Sequence, residues 1–196
     1  MLNDRSTPLS LLATRRSGKP RDLVAPGPSA EQLAQILEIA ARTPDHGKLA
    51  PWRFVSVAAD QRGALSRLLV EAYRTENPDA PQRELDSLDQ FAHQAPTLVV
   101  VLSSPKGGNI PVWEQELSAG AAAMNLLHAA HAMGYAAGWL TGWPSFSDMV
   151  RDAFGAAPER IVGFMFIGTP ARPLDERPRP DPGSIISTWR EPGRGD

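Results

Sequence analysis

Residues Trp113–Met133 read WEQELSAGAAAMNLLHAAHAM, a proline-free run dominated by alanine, leucine and methionine. Alanine is the strongest helix former, so the spacing predicts one long helix. Ala119, Ala121, Ala122, Ala123, Met124, Leu126 and Leu127 leave that helix almost no polar face, which predicts a central, buried element. Small side chains let backbones approach closely, so a second copy of the same helix is one candidate neighbour. Asn125, His128 and His131 interrupt the apolar run, which falls short of the roughly 20 apolar residues a spanning helix needs.

On either side of this helix lie short β-branched runs. Thr97–Ser103 (TLVVVLS) is apolar almost throughout, as a strand covered on both faces should be. Phe54–Ala58 and Ile161–Ile167 read alike, and Tyr135–Leu140 is a shorter candidate. Helical periodicity returns between them. Leu33, Ile36, Leu37 and Ala40 repeat at helical spacing, with Ser29 and Gln32 forming a capping-box start to a helix over about 30–42 that ends near Pro44. Leu65, Leu68, Leu69, Ala72 and Tyr73 mark a second amphipathic helix, and Leu85, Leu88 and Ala92 a weaker third. Helices alternating with four strands predict an α/β or α+β sandwich.

The whole chain has 196 residues, 20 basic and 22 acidic, enough for one domain that buries roughly 70% of its unfolded surface. A formal charge of −2 gives no basic excess for gripping a nucleic acid or an anionic membrane. With no cysteine, the chain can form no disulfide, iron–sulfur cluster, thiolate zinc site or thiol nucleophile of its own. The apolar run before Arg15 and Arg16 is too short for a secretory signal, so the expected location is the cytoplasm. Of nineteen prolines, nine concentrate in two stretches, Pro20–Pro28 and Pro170–Pro192. Each removes a backbone donor, so residues 170–196 predict a tail that is either disordered or laid along a surface, that of another subunit included.

No phosphate loop, dinucleotide fingerprint or serine nucleophile elbow occurs. His128 and His131 lie one helical turn apart, but no carboxylate shares their face nearby, and no metal site is expected. Three other pieces carry more information. Arg15-Arg16-Ser17 ends an apolar helix ahead of a Gly-Lys-Pro turn. Two guanidinium forks and a hydroxyl there either hold an anionic group or complement the helix dipole. Arg42–Phe54 (RTPDHGKLAPWRF) is a polar loop between a helix and a strand, gathering basic groups and His46 around two prolines. Gly138-Trp139-Leu140-Thr141-Gly142 places an aromatic face and backbone donors at a strand end, with Trp139 as plain core the alternative.

In order and spacing these pieces, together with W-E-Q-E-x-S-A-G on the long helix and I-V-G-F-M-F-I-G-T-P near the end, resemble the nitroreductase-like FMN-dependent oxidoreductases. The likeness spans about residues 8–182 and is strongest to a short NAD(P)H nitroreductase branch. It implies an α+β, α-β-α sandwich with a mixed central sheet. It also implies an intertwined homodimer with two FMN sites at the subunit interface, the Pro-rich tail wrapping the partner. By motif, Arg15, Arg16 and Ser17 contact the FMN, Arg42 and His46 form a second contact group that in part reaches the other subunit's flavin, and Trp139, Leu140 and Thr141 form the third. Arg177 or Arg179 is expected at the phosphate. The likeness also points to Ala129, Ala130, His131, Ala132, Met133 and Gly134 as a nicotinamide contact, although a helix end rich in alanine offers few donors to a dinucleotide. The chain departs from many relatives in carrying His46, Lys48 and Ala50 where they have Ser-x-Asn-x-Gln, and Leu140 where a near relative has arginine.

The resemblance implies that the flavin carries the chemistry, taking hydride at N5 from NAD(P)H and passing it to electron-poor acceptors such as nitroaromatics or quinones. Lys48 or Arg16 is expected to stabilise the anionic reduced ring. Other flavin chemistry on the same fold, ring cleavage or reductive dehalogenation, is one alternative, and a cofactor-less dimeric scaffold is another.

Overall fold

A computed structural model of the chain describes residues 1–192. In chain order its elements are α1 (Pro8–Thr14), β1 (Leu23–Val24), α2 (Ala30–Ala40), β2 (Trp52–Val57), α3 (Arg62–Glu76), α4 (Gln82–His93), β3 (Thr97–Ser103), α5 (Val112–Ala132), β4 (Ala136–Leu140), α6 (Asp148–Phe154), β5 (Arg160–Pro170) and a single turn, α7 (Pro182–Ile185).

The architecture follows from strand parity. On β3, Leu98, Val100 and Leu102 face one side of the sheet while Val99 and Val101 face the other, and all five are shielded from solvent. On β5, Phe164 and Phe166 join the first set and Met165 and Ile167 the second. The first side packs against α3, α4 and α6, with Phe91 of α4 set edge-on to both Phe164 and Phe166. The second packs against α2 and α5 through Ile36, Ala40, Ala123, Leu126 and Ala130. Each fully buried Leu, Ile, Val or Phe contributes about 1.5–3 kcal/mol, and these two cores make an α-β-α sandwich in the α+β class.

The sheet differs from the expected mixed one: every pairing among the described residues is antiparallel. β5 is the hub, paired with β3 on one edge and β4 on the other, with β2 outside β3 and β1 at the far end of β5. For β2 and β3 the connection explains the direction. Two helices, α3 and α4, lie between β2 and β3, so the chain crosses the sheet twice and re-enters at the end it left. A single crossover helix would have returned it to the other end and made that pair parallel.

Local signals fix the element ends. The Ser29 hydroxyl accepts from the Gln32 N–H and the Gln32 side chain accepts from the Ser29 N–H, completing the expected capping box. Arg62, only 5% exposed, donates to the Val57 carbonyl and, at 2.9 Å, to the Ala92 carbonyl, so one buried guanidinium joins the start of α3 to the end of α4. The tail begins stitched to its own chain: Arg172 pairs with Asp22, and the Ala171 N–H donates to the Asp22 carbonyl. Farther along, Ile185, Ile186 and Trp189 are exposed. Residues 193–196 of the predicted tail lie outside the described residues. Among the described residues, no helix is long and apolar enough to cross a membrane.

Candidate functional site

α1 opens at Thr7, whose hydroxyl accepts from the Ser10 N–H, and gives way at Arg15 to a segment that crosses β4. There the Gly18 N–H donates to the Ala137 carbonyl at 3.1 Å. Such proximity requires glycine on the strand, because a Cβ on Gly138 would lie 2.5 Å from the Gly18 carbonyl oxygen. The crossing brings Arg16, Ser17, Lys19 and Arg21 beside Gly138, Trp139 and Leu140 around a cleft of about 410 Å³, with Gln94 at the end of α4 on its rim. Its size is that of a small-molecule site, with basic groups on one wall and an apolar strand on the other.

Trp139 is a fixed wall of this cleft. Its indole N–H donates to the Val162 carbonyl at 3.0 Å, and the ring lies over Gly163, where a Cβ would meet Nε1 at 2.1 Å. Leu140 packs against the core on the opposite face of the strand. Thr141 is exposed just beyond Leu140, the last paired residue of β4.

A cluster of like charge adjoins the cleft. The Arg15 guanidinium donates to the Ser17 hydroxyl at 3.2 Å, Arg16 Nε donates to the Asp175 carbonyl at 2.7 Å, and Arg179 donates to the Arg15 carbonyl at 3.3 Å. Burial first, and then the charges of Arg179, Arg16 and Arg177, hold Arg15 below the ordinary arginine range, with only Glu176 opposing them. Guanidiniums gathered against their mutual repulsion suit a multiply charged anion, which they can grip bidentately. This weighs the two readings of Arg15-Arg16-Ser17 toward the anion: α1 ends before Arg15, so the arginines lie outside its last turn.

Arg42 and His46 lie elsewhere. Both are exposed on the loop leaving α2, whose backbone is strained: Gly47, Lys48 and Ala50 take positive φ of 83°, 58° and 48°. The Asp45 carboxylate holds the loop in this shape by accepting from the Leu49 N–H and, at 3.2 Å, from the Ala50 N–H. Strained backbone of this kind persists only where its surroundings enforce it, and it gathers at binding sites. His46 Nδ1 bonds Glu114 at 2.8 Å in the first turn of α5. Arg15 instead lies near the last turns of α5, where burial and then its charge push His128 and His131 down. From Glu114 to His128 the helix rises about 21 Å at 1.5 Å per residue. Within one chain, therefore, His46 does not meet the Arg15–Ser17 group.

In the 129–134 stretch, Ala129, Ala130 and His131 are buried, His131 with no exposed surface; Ala132 and Gly134 are exposed, and Met133 is half-buried. The His131 Nε2 accepts from the Ala137 N–H at 3.2 Å. Among the described residues, no group of three or more His, Asp or Glu is placed to share a metal ion. The residues that sequence reasoning misses are Lys19, Arg21 and Gln94 in the cleft, and Ser118 and Asn125, which hold the strained loop. The run R-R-S-G-K-P-R carries the signal for the first two; nothing local marks Gln94.

The sandwich thus sets a basic cleft against an apolar strand, with a cluster of arginines beside it. The chain matches the nitroreductase family over residues 12–169 and belongs to that family. It is 38% identical over 164 residues to a Haemophilus influenzae protein named "Putative NAD(P)H nitroreductase", covering 82% of this chain and 87% of that protein. In structure it is similar to a nitroreductase-like family protein from Bacillus cereus, with a TM-score of 0.81 at 18% identity, covering 94% of this chain and 96% of the other. It is also similar to a "putative nitroreductase in complex with fmn" from Desulfovibrio desulfuricans, with a TM-score of 0.71 at 22% identity, covering 95% and 99%. Both structural likenesses show the shared fold.

Proposed function

We propose that the chain is an FMN-dependent NAD(P)H oxidoreductase that acts as a homodimer on electron-poor small molecules such as nitroaromatics or quinones. The observation that carries this reading is the convergence of Arg15, Arg16, Arg177 and Arg179 beside a cleft with an apolar wall. Family membership and a relative named as an NAD(P)H nitroreductase support it, as does a structural neighbour solved with FMN. The residues fit that group: it has a phosphate for the arginines and a planar ring for the cleft.

When bound, FMN would supply the redox chemistry, electrons entering from NAD(P)H and leaving to the acceptor. The chain's own part is binding, orientation and charge. Arg15 and the tail arginines would hold the phosphate end. Arg16, Ser17 and Lys19 line the cleft, where Arg16 and Lys19 would stabilise negative charge on the ring end of the group. Trp139, locked to Val162, keeps the cleft's apolar wall rigid and dry. Arg42, His46 and Lys48 complete the site at its interface, and His46 does so from a second copy, since its own chain ties it to Glu114, about 21 Å along α5 from the His128 that Arg15 lies beside. The second copy docks on the exposed apolar stripe of α5, where Trp113 and Leu117 are more than 60% exposed, and its tail reaches across with Ile185, Ile186 and Trp189. Nicotinamide approaches near the open end of the 129–134 stretch, where Ala132 and Gly134 are exposed.

The test is an absorption spectrum of the protein after FMN addition and gel filtration, followed by NADPH or NADH without oxygen. A two-band flavin spectrum travelling with a dimer and bleached by either nucleotide is expected. A retained flavin that neither nucleotide bleaches would replace the reductase reading with other flavin chemistry. A colourless protein would overturn every flavin reading.

A further inference from the structure

The strained loop is gripped by a polar stripe on α5. Asn125 Nδ2 donates to the Thr43 hydroxyl at 2.6 Å, the Ser118 hydroxyl donates to the Pro44 carbonyl at 2.9 Å, and the Glu114 carboxylate accepts from His46 Nδ1 at 2.8 Å. At about 100° per residue, positions 114, 118 and 125 fall within about 40° of one another, so one edge of the helix reads Thr43, Pro44 and His46 in turn. The stripe is built from three different side-chain types. Only the last of its contacts ends on a group that can face a ligand.

A carboxylate can only accept, so in this pair the His46 proton sits on Nδ1. Nε2 is then the outward nitrogen. The imidazole is 64% exposed while Glu114 behind it is 31% exposed, and Nε2 has no partner among the described residues. Glu116, two residues on, is occupied with Arg160 at 3.2 Å and is no substitute. A carboxylate behind an imidazole sets both its tautomer and the turn of its ring, the way outer ligands orient histidines in metal sites.

We propose that Glu114 is a positioning residue: it fixes His46 as the Nδ1–H tautomer and presents Nε2, as a hydrogen-bond acceptor, to the flavin held by a second copy of the chain. The inference rests on the flavin reading and deepens it, assigning a role to a residue outside the three contact groups. Without Glu114 the ring turns freely, both tautomers populate, and the loop's contribution to the neighbouring site is diluted.

The experiment uses the full-length FMN-loaded protein with two readouts: nitrogen–proton NMR of the His46 ring, which distinguishes the tautomers, and the FMN dissociation constant from flavin fluorescence. Wild type shows a single Nδ1–H form. Glu114→Ala mixes the tautomers and weakens FMN binding about 5- to 10-fold, the worth of one oriented hydrogen bond. Glu114→Asp recovers part of both, and Glu116→Ala changes neither. Adding Glu114→Ala to His46→Ala costs nothing further, because both remove one interaction. Wild-type tautomer and affinity in Glu114→Ala, or additive losses in the double variant, would overturn the proposal while the flavin reading stands. A wild-type protein that takes up no FMN would instead remove the flavin reading and, with it, the target of Nε2.

Discussion

At the residue scale, the cleft depends on what is missing from two strand positions. Gly163 leaves room for the Trp139 indole, and Gly138 lets the Arg15–Lys19 segment lie against β4. Gly163→Ala places a methyl 2.1 Å from Trp139 Nε1 and 2.9 Å from the Leu140 carbonyl. The expected result is a loss of about 3 kcal/mol in urea unfolding, with a change in tryptophan emission as the indole is displaced. Unchanged emission would show that the ring is not anchored there. Ala50 presents the opposite case, a side chain in the left-handed region at φ 48°. Ala50→Gly should relieve about 1 kcal/mol of strain and raise the melting temperature by a few degrees. Motif reasoning finds Arg15, Arg16, Ser17, Trp139 and Leu140 because basic forks and an aromatic strand end are visible in one dimension. Gln94 is invisible to it, being an ordinary polar residue that reaches the cleft only because α4 ends beside β4.

At the scale of elements, α5 is the most legible and also the most informative. Its alanine-rich run reads as a long buried helix; the helix spans Val112–Ala132, buried along Ala119, Ala122, Ala123, Leu126, Leu127 and Ala130 but open to solvent at Trp113 and Leu117. The same burial explains His131. Burial chiefly, then Arg15 and His128, hold its imidazole down to about 4, and the neutral ring accepts from Ala137. In the unfolded chain the group titrates at 6.5, so the folded state refuses a proton that the unfolded state takes. This contribution is complete above about pH 6.5 and is lost as the pH falls through about 4, on the order of 3 kcal/mol in all. Urea unfolding at about pH 7.5 and about pH 4.5 should show a fall in stability for wild type that is distinctly smaller in His131→Gln. Equal falls would place the pH dependence elsewhere. Strand direction is less legible. Apolar runs identify β3 and β5 without saying how they pair, and the antiparallel hub at β5 is a tertiary result that no local pattern marks. β1, at two residues, is too short for any pattern.

At the scale of the whole molecule, the three contact groups separate along α5. One chain gathers Arg16, Ser17, Trp139 and Leu140 at the cleft, with Arg15 bonded to Ser17 beside it, whereas its His46 bonds Glu114 at the opposite end of the helix. Distance along a helix is readable from sequence once the contacts at each end are known, but those contacts are tertiary and no spacing rule reveals them. Trp113 and Leu117 on α5, and Ile185, Ile186 and Trp189 in the tail, leave large apolar side chains in water, and a second copy is the proposed cover. In the proposed dimer each flavin site takes its basic cleft from one chain and its His46 loop from the other. FMN content in a purified heterodimer of two differently tagged variants, Arg15→Glu/Arg16→Glu and His46→Glu/Lys48→Glu, decides whether it does. Each variant alone, as a homodimer, should bind almost no FMN. In the heterodimer both defects fall in one site and the other is intact, so about one FMN per dimer is expected against two for wild type. A heterodimer as empty as its parents would contradict the shared site, since a site built within one chain cannot be repaired by its neighbour.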